Sequence, residues 1–571
     1  MKAGMTPLTL TEVLQTLAQN VATTLARQIT DPTHPDYGGI IHPDWGLADP
    51  SHVTTTPFIA GCAYLYLAQA EPRRGSTRSP CNVPLAPADL LTRATIAIEY
   101  LLRVQRPSGL IDLRDCNYDS SPDTAFAVQI LCAVIELGRP LAQHDAAWAA
   151  LLDKFECFVQ RAVPGMLTGG FHTPNHRWVI ASALAQAGVL FPDVSVKPVV
   201  EAYLDEGFDI DAEGAYLEHS AGIYDSVCDR SLLLLADHWD CPTARPTVAA
   251  NLNLNLHLLH ADGTMETGLS RRQDYGTAPV SLGLASAYLH SAAVTPNPVF
   301  ASAARQLWDK ARTRRLGETA WLAYVLLKFS EPAHTEAPLP ENFARFFPHN
   351  GLWRVRRGSF SASFFRGVTR LLTLRYGQAE LSSVKISANY FGTAGGWFVS
   401  DALDVQGDTA TFRSEGLGRL RRPGYELPLG RPVPPEQFEA MTTQRSLRSL
   451  PPLTSTLTAR AVESGFELQY QTLDGLERVV SQIAFDFPPG GIWETQDTCL
   501  KPHAGQIIFL KQGYGAMRYG DDVIQIGPGA DAHRMWQMRD AEPAPQHVRV
   551  LMTFVTPITH AFAIRVHHGQ A

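Results

Sequence analysis

Charge is scarce in this sequence of 571 residues: Asp, Glu, Lys and Arg make up 18% of it, against about a quarter in an ordinary globular chain. Positive charge is scarcer still. Lys and Arg number 48 against 56 Asp and Glu, a formal net charge of −8, and most of the basic residues are Arg. That balance offers no electrostatic funnel for nucleic acid. It leaves room for an acidic ligand, because a local Arg cluster overrides a weak global field and the guanidinium fork suits carboxylate and sulfate groups. No run of about 18 apolar residues occurs, so no membrane span is expected. The opening MKAGMTPLTLTEVLQTLAQN is apolar only at periodic positions. It lacks the unbroken apolar stretch of an export signal, so a cytoplasmic location is expected.

Other absences narrow the chemistry. The eight cysteines, at 62, 81, 116, 132, 157, 228, 241 and 499, form no CxxC pair. Most sit in apolar helical runs, so buried free thiols in a reducing compartment are expected rather than disulfides. There is no Walker loop, dinucleotide fingerprint, HExxH or GxSxG elbow. No cofactor and no metal site are expected.

What is present divides into two halves. Residues 1–335 are rich in Ala and Leu, with apolar positions recurring every three or four residues, the period of amphipathic helices. The pattern predicts helices near 10–28, 57–70, 87–105, 121–137, 144–162, 175–188, 194–206, 218–238, 244–260, 280–292, 297–311 and 318–329. Paired, they make about six hairpins and an N-terminal (α/α) toroid, an incomplete barrel. The loops at 33–52, 105–123 and 164–176 are long and dense in Trp, Tyr, His and Asp, as functional loops are. Beyond a linker at 330–345 the period changes to two. Short alternating segments such as SFSASFF, GFELQYQTL and VRVLMTFVT predict that 345–571 is an antiparallel β-sandwich. The chain is thus a multidomain α+β protein. The aromatic-rich β-domain offers a cleft wall, a homodimer surface or both.

Four constellations carry chemistry. In Thr173-Pro174-Asn175-His176, Thr173 can cap a helix with Pro174 at its first position. That places Asn175 and His176 in the opening turn, where the helix dipole favours an anion. In the stretch from Asp209 to Asp225, Tyr224 follows Tyr216, Glu218, His219 and Ser220, with Ser220 one helical turn before it. The loop ETGLSRRQDY at 266–275 presents Arg271, Arg272 and Tyr275. Its arginines either bind anions or are neutralised by Glu266 and Asp274. In the loop at 33–52, His34, Asp36, His42, Asp44 and His52 match no zinc spacing, whereas Tyr37 and Trp45 can face a sugar.

This layout and the motifs Asn175-His176, GAYLEHSAGIYDS at 214–226 and ETGLSRRQD at 266–274 resemble the heparinase II/III-like polysaccharide lyases. The resemblance covers nearly the whole chain in layout. It implies cleavage beside a uronic acid by β-elimination, on a glycosaminoglycan- or alginate-like substrate, giving a 4,5-unsaturated uronate. It implies Asn175 and His176 as the carboxylate-binding pair, Tyr224 as the catalytic Tyr with Tyr216 as fallback, and Arg272 or Arg271 as the supporting Arg. A free phenol titrates near pH 10, so Arg272 and His219 are expected to favour the phenolate. His176 is expected as a cation. Tyr216, Arg271, Glu218, Trp45, Tyr37, Tyr275 and Trp397 are the expected substrate contacts. The family's His-rich strand is missing: 381–404 holds no His, leaving Lys385, Asn389, Tyr390 and Trp397 as cleft candidates there. The alternatives are an inverting glycoside hydrolase, drawing on Asp115, Asp119, Asp211, Glu213, Glu218 and Asp274, and a non-catalytic carbohydrate-binding protein.

Overall fold

The computed structural model describes residues 7–70, 85–329, 331, 337–390, 396–415, 424–448, 453–539 and 541–569. The chain divides into two units. Residues 1–259 and 263–339 form the first; 260–262 and 340–571 form the second.

The first unit holds α1 (Leu10–Leu25), α2 (Thr55–Ala70), α3 (Pro87–Val104), α4 (Ser121–Ala142), α5 (Ala146–Thr168), α6 (Pro174–Leu190), α7 (Lys197–Asp205), α8 (Tyr224–His238), α9 (Ala244–Leu258), α10 (Leu282–Val294), α11 (Pro298–Lys310) and α12 (Leu316–Lys328). The even helices pack in sequence, α2 on α4, α4 on α6, and so on to α12. The spacing predicts an incomplete barrel; α12 also packs against α1 and α2, so the ring's ends meet. The sequence explains which helices go inside. Every residue of α2 from Thr55 to Leu67 is buried, as befits a helix apolar all round. By contrast α1 buries a single stripe, Val13, Leu14, Leu17, Ala18 and Val21 with Thr24, and α7 buries only Val200. By length and composition α4 can cross a bilayer; here it is an inner helix, buried from Ser121 to Ile135.

Several boundaries differ from expectation, among them the end of α4, which runs to Ala142. The helix predicted from 218 begins at Tyr224, because the Ser220 hydroxyl accepts the Tyr224 N–H at 3.1 Å and so caps a later start. Residues before it turn instead, with Gly214 at φ +94 where a Cβ would lie 2.4 Å from the Ala250 carbonyl oxygen. α5 runs on through Pro164 to Thr168. The loop at 105–123 contains a small hairpin, Ile111–Leu113 against Asn117–Ser120. The seven described cysteines are free, but only Cys62, Cys132 and Cys228 are buried; Cys116 and Cys157 lie at exposed edges. Cys81 lies outside the described residues.

The C-terminal ends of the inner helices meet in a dense polar network. The Lys328 ammonium lies 3.0 Å from both Glu136 and Asp237. Asp237 also meets His290 at 3.2 Å and Arg245 at 2.5 Å. Glu136 accepts the Tyr324 hydroxyl at 3.0 Å and faces His238 at 3.5 Å. Burial works against Glu136 ionising, but His238 and Lys328 hold its carboxyl down at about 2.

The second unit is a two-sheet sandwich. One sheet orders nine strands: Cys499–Leu500, Ile492–Thr495, Gly515–Tyr519, Asp522–Gly527, Thr559–His568, Gly465–Gly475, Leu453–Val462, Thr409–Ser414 and Ala402–Gln406. All its pairs are antiparallel. The other orders Ile507–Phe509, Val548–Val555, Val480–Phe487, Ala379–Ala388, Leu372–Tyr376, Phe360–Phe365, Leu352–Arg357 and Asn342–Phe347. Its first pair is parallel, an exception to the expected antiparallel pattern. The inner faces share one apolar core, in which Phe364 stacks on Phe412 at 5.5 Å and Trp353 meets Phe466 edge-on.

Candidate active site

The N-terminal ends of α6 and α8 bring the sequence motifs together. Pro174 opens α6 with Thr173 extended before it, which puts Asn175 and His176 in the first turn. Asn175 Nδ2 donates to Glu218 Oε2 at 2.8 Å and to Thr173 Oγ1 at 3.2 Å. Arg272 reaches the other Glu218 oxygen at 2.9 Å. The Arg272 guanidinium also lies 4.4 Å from the centroid of the Tyr224 ring. One buried carboxylate therefore ties the α6 terminus to the 266–276 loop, and that loop's arginine covers the phenol. Asn175 Oδ1 and His176 Nδ1 are buried without a hydrogen-bond partner among the described residues.

His176 belongs to an aromatic row that joins α6 to α4 and to the turn before α2. It meets His172 edge-on at 4.5 Å and Phe126 of α4 at 6.1 Å. Phe126 stacks on His52 at 4.2 Å, and His52 Nδ1 lies 3.9 Å from Asp123. Asp123 is itself fixed by Asn117 at 2.9 Å and Ser120 at 2.5 Å. Burial first, and then His172, push the His176 imidazole down to about 4. It is neutral at pH 7, which corrects the expected cation.

Behind these groups lies a layer that sets the loops. Asp274 accepts the Ser220 hydroxyl at 2.8 Å, the Gly222 N–H at 2.9 Å and the Ser270 hydroxyl. A Cβ on Gly222 would come within 2.7 Å of that carboxylate, so the approach requires glycine. Asp225, next to Tyr224, accepts from Asn251 and Asn255 at 3.1 Å each. Its burial pushes the carboxyl up to about 6.

The remaining expected residues separate into three groups. Tyr216 is 1% exposed and donates its hydroxyl to Asp229 at 2.9 Å. Burial raises its phenol well above the ordinary range; it is neither a base nor a substrate contact, which corrects both expectations. Glu218 is likewise corrected from a substrate contact to a buried anchor for Asn175 and Arg272. His219 sits in left-handed backbone at φ 51, and its side chain feels Arg271 and Asp211. Exposed Arg271 donates its N–H to the Glu218 carbonyl at 3.0 Å, and Tyr275 follows at the same rim. In the 33–52 loop, Trp45 stacks on His42 at 3.8 Å and Tyr37 lies under Arg103. His34 and His42 accept the N–H groups of Asp36 and Asp44, so these side chains shape their own turns. In the second unit, Lys385 pairs with Glu542, Tyr390 is buried, Asn389 accepts the Arg539 N–H at 3.3 Å and Trp397 bridges Ser387. The reading of isolated motifs missed Asp123, Phe126 and His172. It also gave Asp274 to the arginines, whereas Asp274 serves the two serines.

No family model and no curated protein matches the chain. Solved structures do. The chain is similar to a variant of the chondroitin AC lyase of Streptomyces coelicolor A3, with 13% identity and a TM-score of 0.51, over 97% of this chain and 79% of that one. It is similar to heparinase III, with 10% identity and a TM-score of 0.50, over 98% of this chain and 90% of that one. At these identities the likeness is one of fold.

Proposed function

We propose that the first unit carries a lyase site that cleaves an acidic glycan beside a uronic acid by β-elimination. The observation that carries this reading is the Glu218 tether. It holds an amide and a guanidinium at the ring mouth, sets that guanidinium on a tyrosine ring, and leaves a neutral imidazole beside them. The similar fold of a chondroitin AC lyase supports the same reading.

In this mechanism the uronate carboxylate displaces the longer Thr173 contact and takes one Asn175 Nδ2 hydrogen. Neutral His176 adds a second hydrogen bond, and the dipole of α6 adds to both. These donors stabilise the negative charge that develops on the carboxylate as the C5 proton leaves, as an oxyanion hole does. Tyr224 takes the C5 proton, with Arg272 stabilising the phenolate from the ring face. The C4–O4 bond then breaks, the C4–C5 double bond forms, and the leaving O4 takes a proton from the same phenol. No water is consumed. The hydrolase reading has less support, because Asp274 accepts from Ser220 and Gly222, while Glu218 accepts from Asn175 through Oε2 and pairs with Arg272 through Oε1.

The test is ultraviolet absorbance during incubation with a panel of uronate-containing glycans, with reducing ends counted alongside. Rising absorbance that disappears in Tyr224→Phe supports the proposal. New reducing ends without absorbance overturn it in favour of hydrolysis.

A further inference from the structure

One half-buried cation among the inner helices is left over by the mechanism above. Arg230 stands on α8 with its guanidinium carbon 4.9 Å from the centroid of the Trp321 ring on α12. Its Nε is buried and makes no hydrogen bond, and no described residue forms an ion pair with its guanidinium. Glu318, one turn before Trp321, is the carboxyl whose charge it feels most, yet the two do not pair. Below lies a narrow cavity lined by Arg230, Leu233, Ser286, His290 and Trp321. It closes the floor, with room for a water but none for a sugar ring. Above, Arg230 acts on His52, which stacks on Phe126 in the row that ends at His176.

A buried guanidinium nitrogen without an acceptor costs free energy in the resting state. Such a group is usually explained by an ion or ligand that completes it. The Trp321 ring beside it restricts the guanidinium, whose fork suits two-point binding of a carboxylate or sulfate oxygen pair. We propose that Arg230 heads an anion subsite among the inner helices, which takes a carboxylate or sulfate of the same glycan away from the scissile uronate. This rests on the lyase reading for the identity of the glycan, but not for the binding itself.

The test is calorimetric titration of the full chain at low ionic strength with glucuronate, inorganic sulfate and, as a neutral control, glucose. An Asn175→Ala background removes the proposed uronate grip and so separates the two sites. At least one anion binds in that background and glucose does not. Arg230→Gln weakens the binding about tenfold or more, the scale of a charged hydrogen-bonded contact. Glu318→Gln, which removes a competing carboxyl, tightens it. Binding of sulfate alone identifies a sulfate ester as the natural group, and binding of glucuronate alone identifies a carboxylate. The proposal is overturned if neither anion binds, or if Arg230→Gln melts like the parent and binds equally well. Should Arg230→Gln not fold, unchanged affinity in Glu318→Gln overturns it. Anion binding without any elimination activity would remove the lyase reading and leave the subsite standing.

Discussion

The six inner helices have two polar ends, and the two ends are finished differently. At the C-terminal end each charge has opposite partners within 3.5 Å: Lys328 with Glu136 and Asp237, Asp237 with Arg245 and His290, Glu136 with His238. At that end only His290 Nε2 is buried without a hydrogen bond among the described atoms of the cluster, whereas toward the N-terminal end more polar groups are left over. Asn175 Oδ1, His176 Nδ1, His52 Nδ1 and Arg230 Nε are all buried without a hydrogen bond. A protein that neutralises one end of its ring and leaves the other incomplete gives the incomplete end to a ligand. Buried unsatisfied groups cost free energy in the resting state, so their concentration at one end is more informative than the presence of titratable residues at both.

The largest effects should fall on opposite ends in different measurements. Tyr224→Phe should lower turnover by roughly 10²- to 10⁴-fold, the range of positioned acid–base groups, with unfolding unchanged in urea. Lys328→Met should do the reverse. It leaves Glu136 and Asp237 facing each other, at a cost of about 2–4 kcal/mol in unfolding free energy, while kcat is retained. Equal effects of both changes on both measurements would break the comparison.

A smaller effect is expected for Glu218→Gln. Its amide keeps the shape but loses the charge that holds Arg272. A fall of about tenfold in kcat/KM is predicted, on the scale of one charge-assisted bond. A steady-state assay at matched folded fraction checks this.

The pH dependences should also part. At the mouth burial holds His176 at about 4, so its titration is expected to leave no step in kcat/KM near pH 6.5, where a free imidazole would titrate; a step there in a pH–rate profile would contradict this. At the closed end Glu136 is held at about 2. Its contribution to stability is complete above the unfolded value of about 4.3 and is lost as pH falls toward 2. Acid unfolding followed by fluorescence should be steeper in the parent than in Glu136→Gln. The smallest change expected is Gly222→Ala. The added carbon presses on Pro279 and Asp274 and should raise KM more than it lowers the melting temperature, since the strain falls on the two loops that flank Tyr224.

Much of this was legible before the structure. The three-to-four periodicity gives all twelve helices, and the switch to a period of two gives the sandwich. The short motifs give Asn175, His176, Tyr224 and Arg272, which the fold does bring together. The rest depended on contacts that spacing does not encode. Glu218-His219-Ser220 reads as the start of a helix, but the Ser220 hydroxyl caps Tyr224 instead. The charge of His176 is set by burial against His172 and Phe126, which come from different segments. Tyr216 remains a fallback to Tyr224 in sequence, and only packing shows that its phenol is locked on Asp229. Arg230 sits at the edge of the apolar run SLLLL, where a single charge reads as a helix's polar face rather than as a group turned into the ring.

The most direct test of the central claim is digestion of a susceptible uronate glycan in heavy-oxygen water, followed by mass spectrometry of the products. Elimination at the open end predicts products that carry no heavy oxygen and whose masses sum to that of the substrate. One heavy oxygen per cleavage, with the mass of a water added, would contradict it and make the ring mouth a hydrolase site.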